Sequence, residues 1–98
     1  MAEHVDDLTI EYVDDDGTIT CKVLDKTVLS KGAWATIMYK YQDLNRTSGE
    51  YGPEKVSIRR YQKRDGEYRP KSKFNISSAK QAIQIVDILQ GWFPQDET

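Results

Sequence analysis

Apolar and polar residues alternate along the first three quarters of the chain in the manner of strands, and the last quarter carries a helical period. Thr18-Ile19-Thr20-Cys21-Lys22-Val23-Leu24 alternates, is rich in β-branched residues, and follows Asp15-Asp16-Gly17, a turn sequence whose glycine accepts positive φ. Leu8-Thr9-Ile10-Glu11-Tyr12-Val13 is a candidate hairpin partner, although its acidity suits a loosely held edge strand equally well. After Lys31-Gly32, the run Ala33 to Tyr41 predicts a further strand, with Trp34, Thr36, Met38 and Lys40 on one face and Ala33, Ala35, Ile37, Tyr39 and Tyr41 on the other. Either face suits a core. A Gly- and Pro-containing loop from Asn45 to Pro53 follows.

The clearest hairpin lies between Lys55 and Ile76, where two strand-like runs flank Arg64-Asp65-Gly66-Glu67, an Asp-Gly turn of the kind favoured between antiparallel strands. Strict alternation puts Lys55, Arg59, Tyr61 and Lys63 on one face of the first run, and Arg69, Lys71 and Lys73 on one face of the second. Val56 and Ile58 then point inward, as do Tyr68, Ser72, Phe74 and Ile76. One face is expected to be core and the opposite face cationic.

From Ser77 the period becomes helical, with Ser78 and Gln81 spaced for a capping box. Ala79, Ala82, Ile83, Val86 and Leu89 form one stripe, and Ile85, Ile88 and Trp92 a neighbouring one, before Gly91 ends the regular helix. That arc is wider than one sheet can cover, which predicts a homodimer interface at Ile85, Ile88 and Trp92. The expected fold is therefore a single α+β domain over residues 1–98, a curved antiparallel sheet of four to five strands followed by one C-terminal helix. Its ordered core is expected over about 17–93, with an acidic N-terminal arm at 1–16 and a short polar tail at 94–98.

Charge changes this picture more than the net value of -2 suggests. Met1 to Thr20 holds seven acids and no Lys or Arg, whereas Cys21 to Asn75 holds thirteen bases against six acids. A basic middle is thus masked by acidic ends. Candidate chemistry is sparse. The lone Cys21 excludes an intrachain disulfide, and with His4 as the one histidine no zinc ligand set is available. Cys21 alternates with Ile19 and Val23 as a small core residue, and Asp14-Asp15-Asp16-Gly17 lacks the further ligand spacing of a calcium loop. No nucleophile with a base, no paired catalytic carboxylates and no phosphate loop is visible, so no catalytic residue, metal or cofactor is expected and the protein is read as a binder, not an enzyme. The first residues lack the basic start and apolar run of a secretory signal, and no apolar run approaches membrane-spanning length; a cytoplasmic location without membrane partners is expected.

What remains is a basic stretch interleaved with aromatics: Lys and Arg neutralise phosphates, and rings offer stacking surfaces to unpaired bases. Charged, Tyr-containing strands are also ordinary solvated sheet faces; gathering the cations on one side favours the binding reading. Lys55, Arg59, Lys63, Arg69, Lys71 and Lys73 are the candidate phosphate contacts, Tyr61 a candidate stacking platform, and Trp34 either a second platform or core.

Val56-Ser57-Ile58-Arg59-Arg60-Tyr61, the Asp65-Gly66-Glu67 turn, Arg69 to Ser77 and a closing helix resemble, in that order, the PC4-like family of single-stranded-DNA-binding transcriptional coactivators, its small bacterial members above all. Lys31-Gly32-Ala33-Trp34 and the strand after it look like the corresponding strand there, so that the likeness spans roughly Thr18 to Phe93. The resemblance implies four curved strands and a helix, dimerised through the helices, with a cationic groove for unpaired nucleic acid. Two features depart from the family: Phe74-Asn75 stands where a glycine is usual, and the acidic segment through Asp16 has no clear counterpart. The expected function is single-stranded nucleic-acid binding, DNA or RNA, in transcription regulation or single-strand handling, with contacts to the transcription machinery; the alternative is an interaction module for an acidic partner protein.

Overall fold

The computed structural model describes residues 4–94. Its elements are a 3-10 turn (Val5–Asp7), β1 (Tyr12–Val13), β2 (Ile19–Ser30), β3 (Trp34–Asn45), β4 (Glu50–Tyr51), β5 (Lys55–Arg64), β6 (Glu67–Ile76) and α1 (Ala79–Trp92). Strands β1, β2, β3, β5 and β6 form, in that order, a curled antiparallel half-barrel sheet, and β4 adds a short rung to the end of β3. The sheet followed by one helix is the α+β architecture expected. The polar tail beyond Pro94 and the first three residues of the acidic arm lie outside the described residues.

Local chemistry explains the joints. Asp65 and Gly66 both take positive φ, 53° and 81°, the pair of left-handed residues that a two-residue hairpin turn requires. The Asp14 carboxylate accepts the amides of Asp16 and Thr18 at 3.0 Å each and the Arg46 guanidinium at 2.8 Å, and so fastens the turn between β1 and β2. Only Tyr12–Val13 of the expected strand over 8–13 pairs with β2. At the helix start the Gln81 amide donates to Ser78 Oγ at 3.1 Å, while Gln81 Oε1 accepts from the Ser77 amide at 2.9 Å. The capping box forms with its return bond one residue early. The helix runs through Gly91 to Trp92, where the Phe93 amide closes on the Leu89 carbonyl at 2.7 Å.

The register decides which face is core. Ala35, Ile37, Tyr39 and Tyr41 of β3 are buried, and their partners across the ladder are Tyr61, Arg59, Ser57 and Lys55 of β5. Directly paired residues share a face, so the cationic face of β5 is the inner, buried face of the sheet. This overturns the expectation that Val56, Ile58 and Phe74 cover the core. Those three, with Met38, lie on the outer face, where Phe74 is 54 % exposed. Tyrosines make the arrangement workable, because each buries a ring worth roughly 1.5–3 kcal/mol, and Tyr39, Tyr61 and Tyr68 also have partners for their hydroxyls.

Three register shifts re-aim side chains. In β6 the shift next to Arg60–Tyr61 inserts Lys71 as an extra residue: Arg60 pairs with Ser72, but Tyr61 pairs with Pro70. Tyr68 thereby keeps the inner, core side expected for it but parts from Ser72, Phe74 and Ile76, and Arg69 turns to the outer face away from Lys73, contrary to the strict alternation expected. In β2 the shift between Val23 and Asp25 brings Lys26 opposite Tyr39, pointing inward, and a second follows between Val28 and Ser30.

The core cluster joins Ala35, Ile37, Tyr39, Tyr61 and Tyr68 to Val5 and Leu8, which belong to the acidic arm and are 8 % and 6 % exposed. The ordered body therefore starts well before residue 17. Helix α1, by contrast, buries none of its side chains. The radius of gyration, 15.7 Å, exceeds the ~13 Å of a compact chain of this length, and the shortest dimension is 17 Å, the thickness of one sheet and its cover.

Candidate nucleic-acid interface

Four cations expected at the site reach the inner face. Arg59 of β5 stands directly opposite Lys73 of β6, and on the other side of Arg59 the ladder continues to Ile37 and Val28. Two positive charges side by side on neighbouring strands repel, so the pair costs stability unless an anion lies between or above them. Arg59 is held in place by its Nε–H, which donates to Ser57 Oγ at 2.7 Å, and that hydroxyl donates in turn to Asn75 Oδ1 at 2.7 Å. The remaining guanidinium nitrogens are left for another acceptor. Lys55 shares the face, half-buried, 3.3 Å from the Asp43 carboxylate. Lys63 lies opposite Tyr68 with its ammonium 5.4 Å from the ring centre. Lys71, displaced by the bulge, lines an open hollow of about 330 Å³ with Arg59, Pro70, Ser72 and Lys73. Among the described residues no ion pair involves Arg59, Lys63, Lys71 or Lys73.

Three site residues are placed otherwise than expected. Tyr61 is 4 % exposed, its hydroxyl 3.0 Å from that of Tyr39, so in this state it is floor and not an open platform. Burial, and then the Tyr61 hydroxyl, push the Tyr39 phenol far above its ordinary value. Arg69 lies on the outer face in a row with Gln62 and Trp34, 4.0 Å from Glu67. Trp34 is exposed, its ring capped by Arg60 at 4.6 Å; it stands on the opposite side of the sheet from Arg59 and Lys73 and cannot stack on a ligand bound there.

No family model, curated protein or solved structure matches this chain. Its own geometry is what speaks for the site: a floor of tyrosines, cations along one side and in the middle, and an acidic segment laid across.

Sequence reasoning missed Lys26. Its ammonium donates to the carbonyls of Val5, Asp6 and Leu8 at 2.8, 3.0 and 2.6 Å, fastening the arm to the sheet. Only the register shift before it turns this residue inward, and nothing local in the sequence marks that shift. Tyr68 is buried on the core side expected for it, and its hydroxyl donates to the Gly32 carbonyl at 2.7 Å. Cys21 is half-buried on the inner face, where burial first and Asp43 next raise its thiol above the ordinary value, as suits an unreactive packing residue. Among the described residues no cluster of His, Cys, Asp or Glu is arranged to hold a metal, and no helix is long and apolar enough to cross a membrane.

Proposed function

We propose that the protein binds single-stranded nucleic acid, DNA in the first place, on the inner face of its sheet, in transcription regulation or the handling of exposed single strands. The observation that carries this reading is the directly opposed Arg59–Lys73 pair, without an acidic partner among the described residues, beside a floor of tyrosine rings. Cations in that setting neutralise phosphates, and rings at their side accept bases without regard to sequence. The resemblance to the PC4-like family, carried by Val56 to Tyr61 and Arg69 to Ser77, the segments that also hold Arg59 and Lys73, suggests the same function.

The working unit in this reading is a homodimer joined through α1. Ile83, Val86, Ile88, Leu89, Trp92 and Phe93 are all exposed in the single chain, a contiguous apolar surface of the kind that marks an interaction site. Pairing two such helices removes that surface from water and compacts an otherwise extended particle.

A second reading is supported by one feature: the inner face already holds an acidic piece of polypeptide, the segment bearing Asp6 and Asp7. The face that accepts this segment could accept an acidic partner protein instead. Labelled single-stranded and duplex oligonucleotides of equal length, titrated at two salt concentrations, separate the two. Nucleic-acid binding predicts preference for the single strand and an affinity that falls steeply with salt; no binding to either strand form at low salt would transfer the function to the acidic-partner reading.

A further inference from the structure

We infer that residues His4 to Ile10 are a displaceable strap that occupies the tyrosine floor of the nucleic-acid site and must leave it for a strand to stack there. The inference rests on the nucleic-acid reading above and adds a mode of regulation to it. Val5 and Leu8 plug into the cluster formed by Ile37, Tyr39, Tyr61 and Tyr68, the very rings that a bound base would need. Lys26 clasps three strap carbonyls and, with the strap gone, presents a free ammonium on the same inner face. The strap's acids stand beside the site's cations: Asp6 lines a hollow with Lys31 and Lys63, and Asp7 lines one with Arg59 and Tyr61. Acidic residues of the polypeptide thus line hollows that the site's cations also line.

The attachment is strong in kind yet small in extent. It consists of two apolar plugs, the partly buried Ile10 packed beside them, one lysine clasp and a single short turn in which the Leu8 amide bonds to the Val5 carbonyl at 3.2 Å. No strap residue pairs in the sheet, since the first ladder begins at Tyr12. The strap can therefore lift as a unit without breaking strand pairing, and this separates it from the remainder of the core. Once it lifts, Tyr39, Tyr61 and Tyr68 become the floor of an open groove whose cations are Lys26, Lys55, Arg59, Lys63 and Lys73. Because the strap is held by apolar burial and neutral carbonyls as well as by charge, its competition persists at salt concentrations that screen charge alone.

The test uses the full chain and a labelled oligothymidylate. If the open state is populated at about one molecule in ten, loosening the strap tightens the apparent Kd about tenfold. Leu8→Ser is expected to do this at low and at high salt, with Thr47→Ser, exposed in the turn between β3 and β4 and away from strap and site, unchanged. Should Leu8→Ser fail to fold, the parent chain still decides: on saturation with the oligonucleotide, the Val5 and Leu8 methyl resonances should leave their tyrosine-shifted positions for random-coil ones. A parent that binds the oligonucleotide while those methyls stay in place overturns the strap and leaves the nucleic-acid reading intact. Absence of binding by both parent and folded Leu8→Ser overturns that reading, and the strap with it.

Discussion

The hydroxyls of Tyr39 and Tyr61 lie 3.0 Å apart at the centre of the inner face, each the partner that the other needs once buried. The two side chains sit on neighbouring strands, offset along the ladder: Tyr39 pairs with Ser57 and Tyr61 with Ala35. Through this bond the sheet keeps two polar atoms in its core without leaving either unsatisfied. It also fixes both rings at the base of the cationic site, so stability and the proposed function would depend on the same pair.

Removing one hydroxyl should accordingly cost more than removing both. Tyr39→Phe or Tyr61→Phe leaves a buried hydroxyl unpaired and is expected to destabilise by about 1–3 kcal/mol, whereas the double replacement approaches neutrality. Tyr61→Ala, which also opens a cavity, should cost about 3–5 kcal/mol. Urea unfolding of the four variants measures all of this, and additive losses in the double Phe variant would mean that the bond contributes nothing.

The turn between β1 and β2 should respond to acid. Hydrogen bonding to Arg46 first, then the Thr18 amide, hold the Asp14 carboxyl below its ordinary 3.8. A depressed value in the folded chain means that the stabilisation is present above 3.8 and is lost as pH falls through the lower, folded value. Carboxyl-carbon NMR titration of Asp14 should therefore show a midpoint below that of an unstructured aspartate, and Asp14→Asn should remove this acid-dependent step from the β1–β2 turn. A midpoint at the ordinary value would contradict the geometry.

How much of this could be read from residue order depends on how local the cause is. The Asp65–Gly66 turn and the Ser78–Gln81 cap were legible because their chemistry lies within a few residues. The core face was not, because tyrosines and the aliphatic stem of Arg59 serve a buried face as well as an exposed one, and only the pairing of β5 with Ala35, Ile37 and Tyr39 decides between them. Lys71 is a bulge residue for reasons of sheet curvature, and a one-residue shift was enough to separate Arg69 from Lys73. Val5 is an isolated apolar residue in an acidic run, and Leu8 stands at the head of an alternating stretch that suits an edge strand, so neither pattern marks burial against the tyrosines.

Helix α1 carries the next expectation. Ile88 is 51 % exposed and Trp92 70 % exposed in the single chain, and neither contributes to the core cluster. Ile88→Glu should therefore dissociate the proposed dimer and leave the sheet folded, because the charge would enter a buried contact only at that proposed interface. Sedimentation should show a dimer for the parent and a monomer for the variant, with near-parent circular dichroism. A parent that sediments as a monomer at high concentration ends the helix-dimer proposal.

The last expectation divides the basic residues by the face they occupy. Arg59, Lys63 and Lys73 point to the inner face, while Arg69 points to the outer one with Trp34 and Gln62. If the inner face is the binding surface, neutralising Lys63 or Lys73 should weaken oligonucleotide binding for every sequence and lower the salt slope by about one phosphate each. Arg69→Ala should leave both nearly unchanged, and Trp34→Ala should not cost the about 1–3 kcal/mol of a lost stacking platform. Stability offers an independent check, because Lys73 faces Arg59 and like charges across a ladder repel. Lys73→Gln should thus weaken binding and at the same time leave folding stability equal or raise it by a few tenths of a kcal/mol, up to about 1 kcal/mol. Arg59 is the less clean probe, since its removal also frees the Ser57 hydroxyl from its donor. Equal losses of affinity from Arg69→Ala and Lys73→Gln would mean that the strand path crosses both faces, and a Lys73→Gln variant that binds like the parent would remove the inner face from consideration.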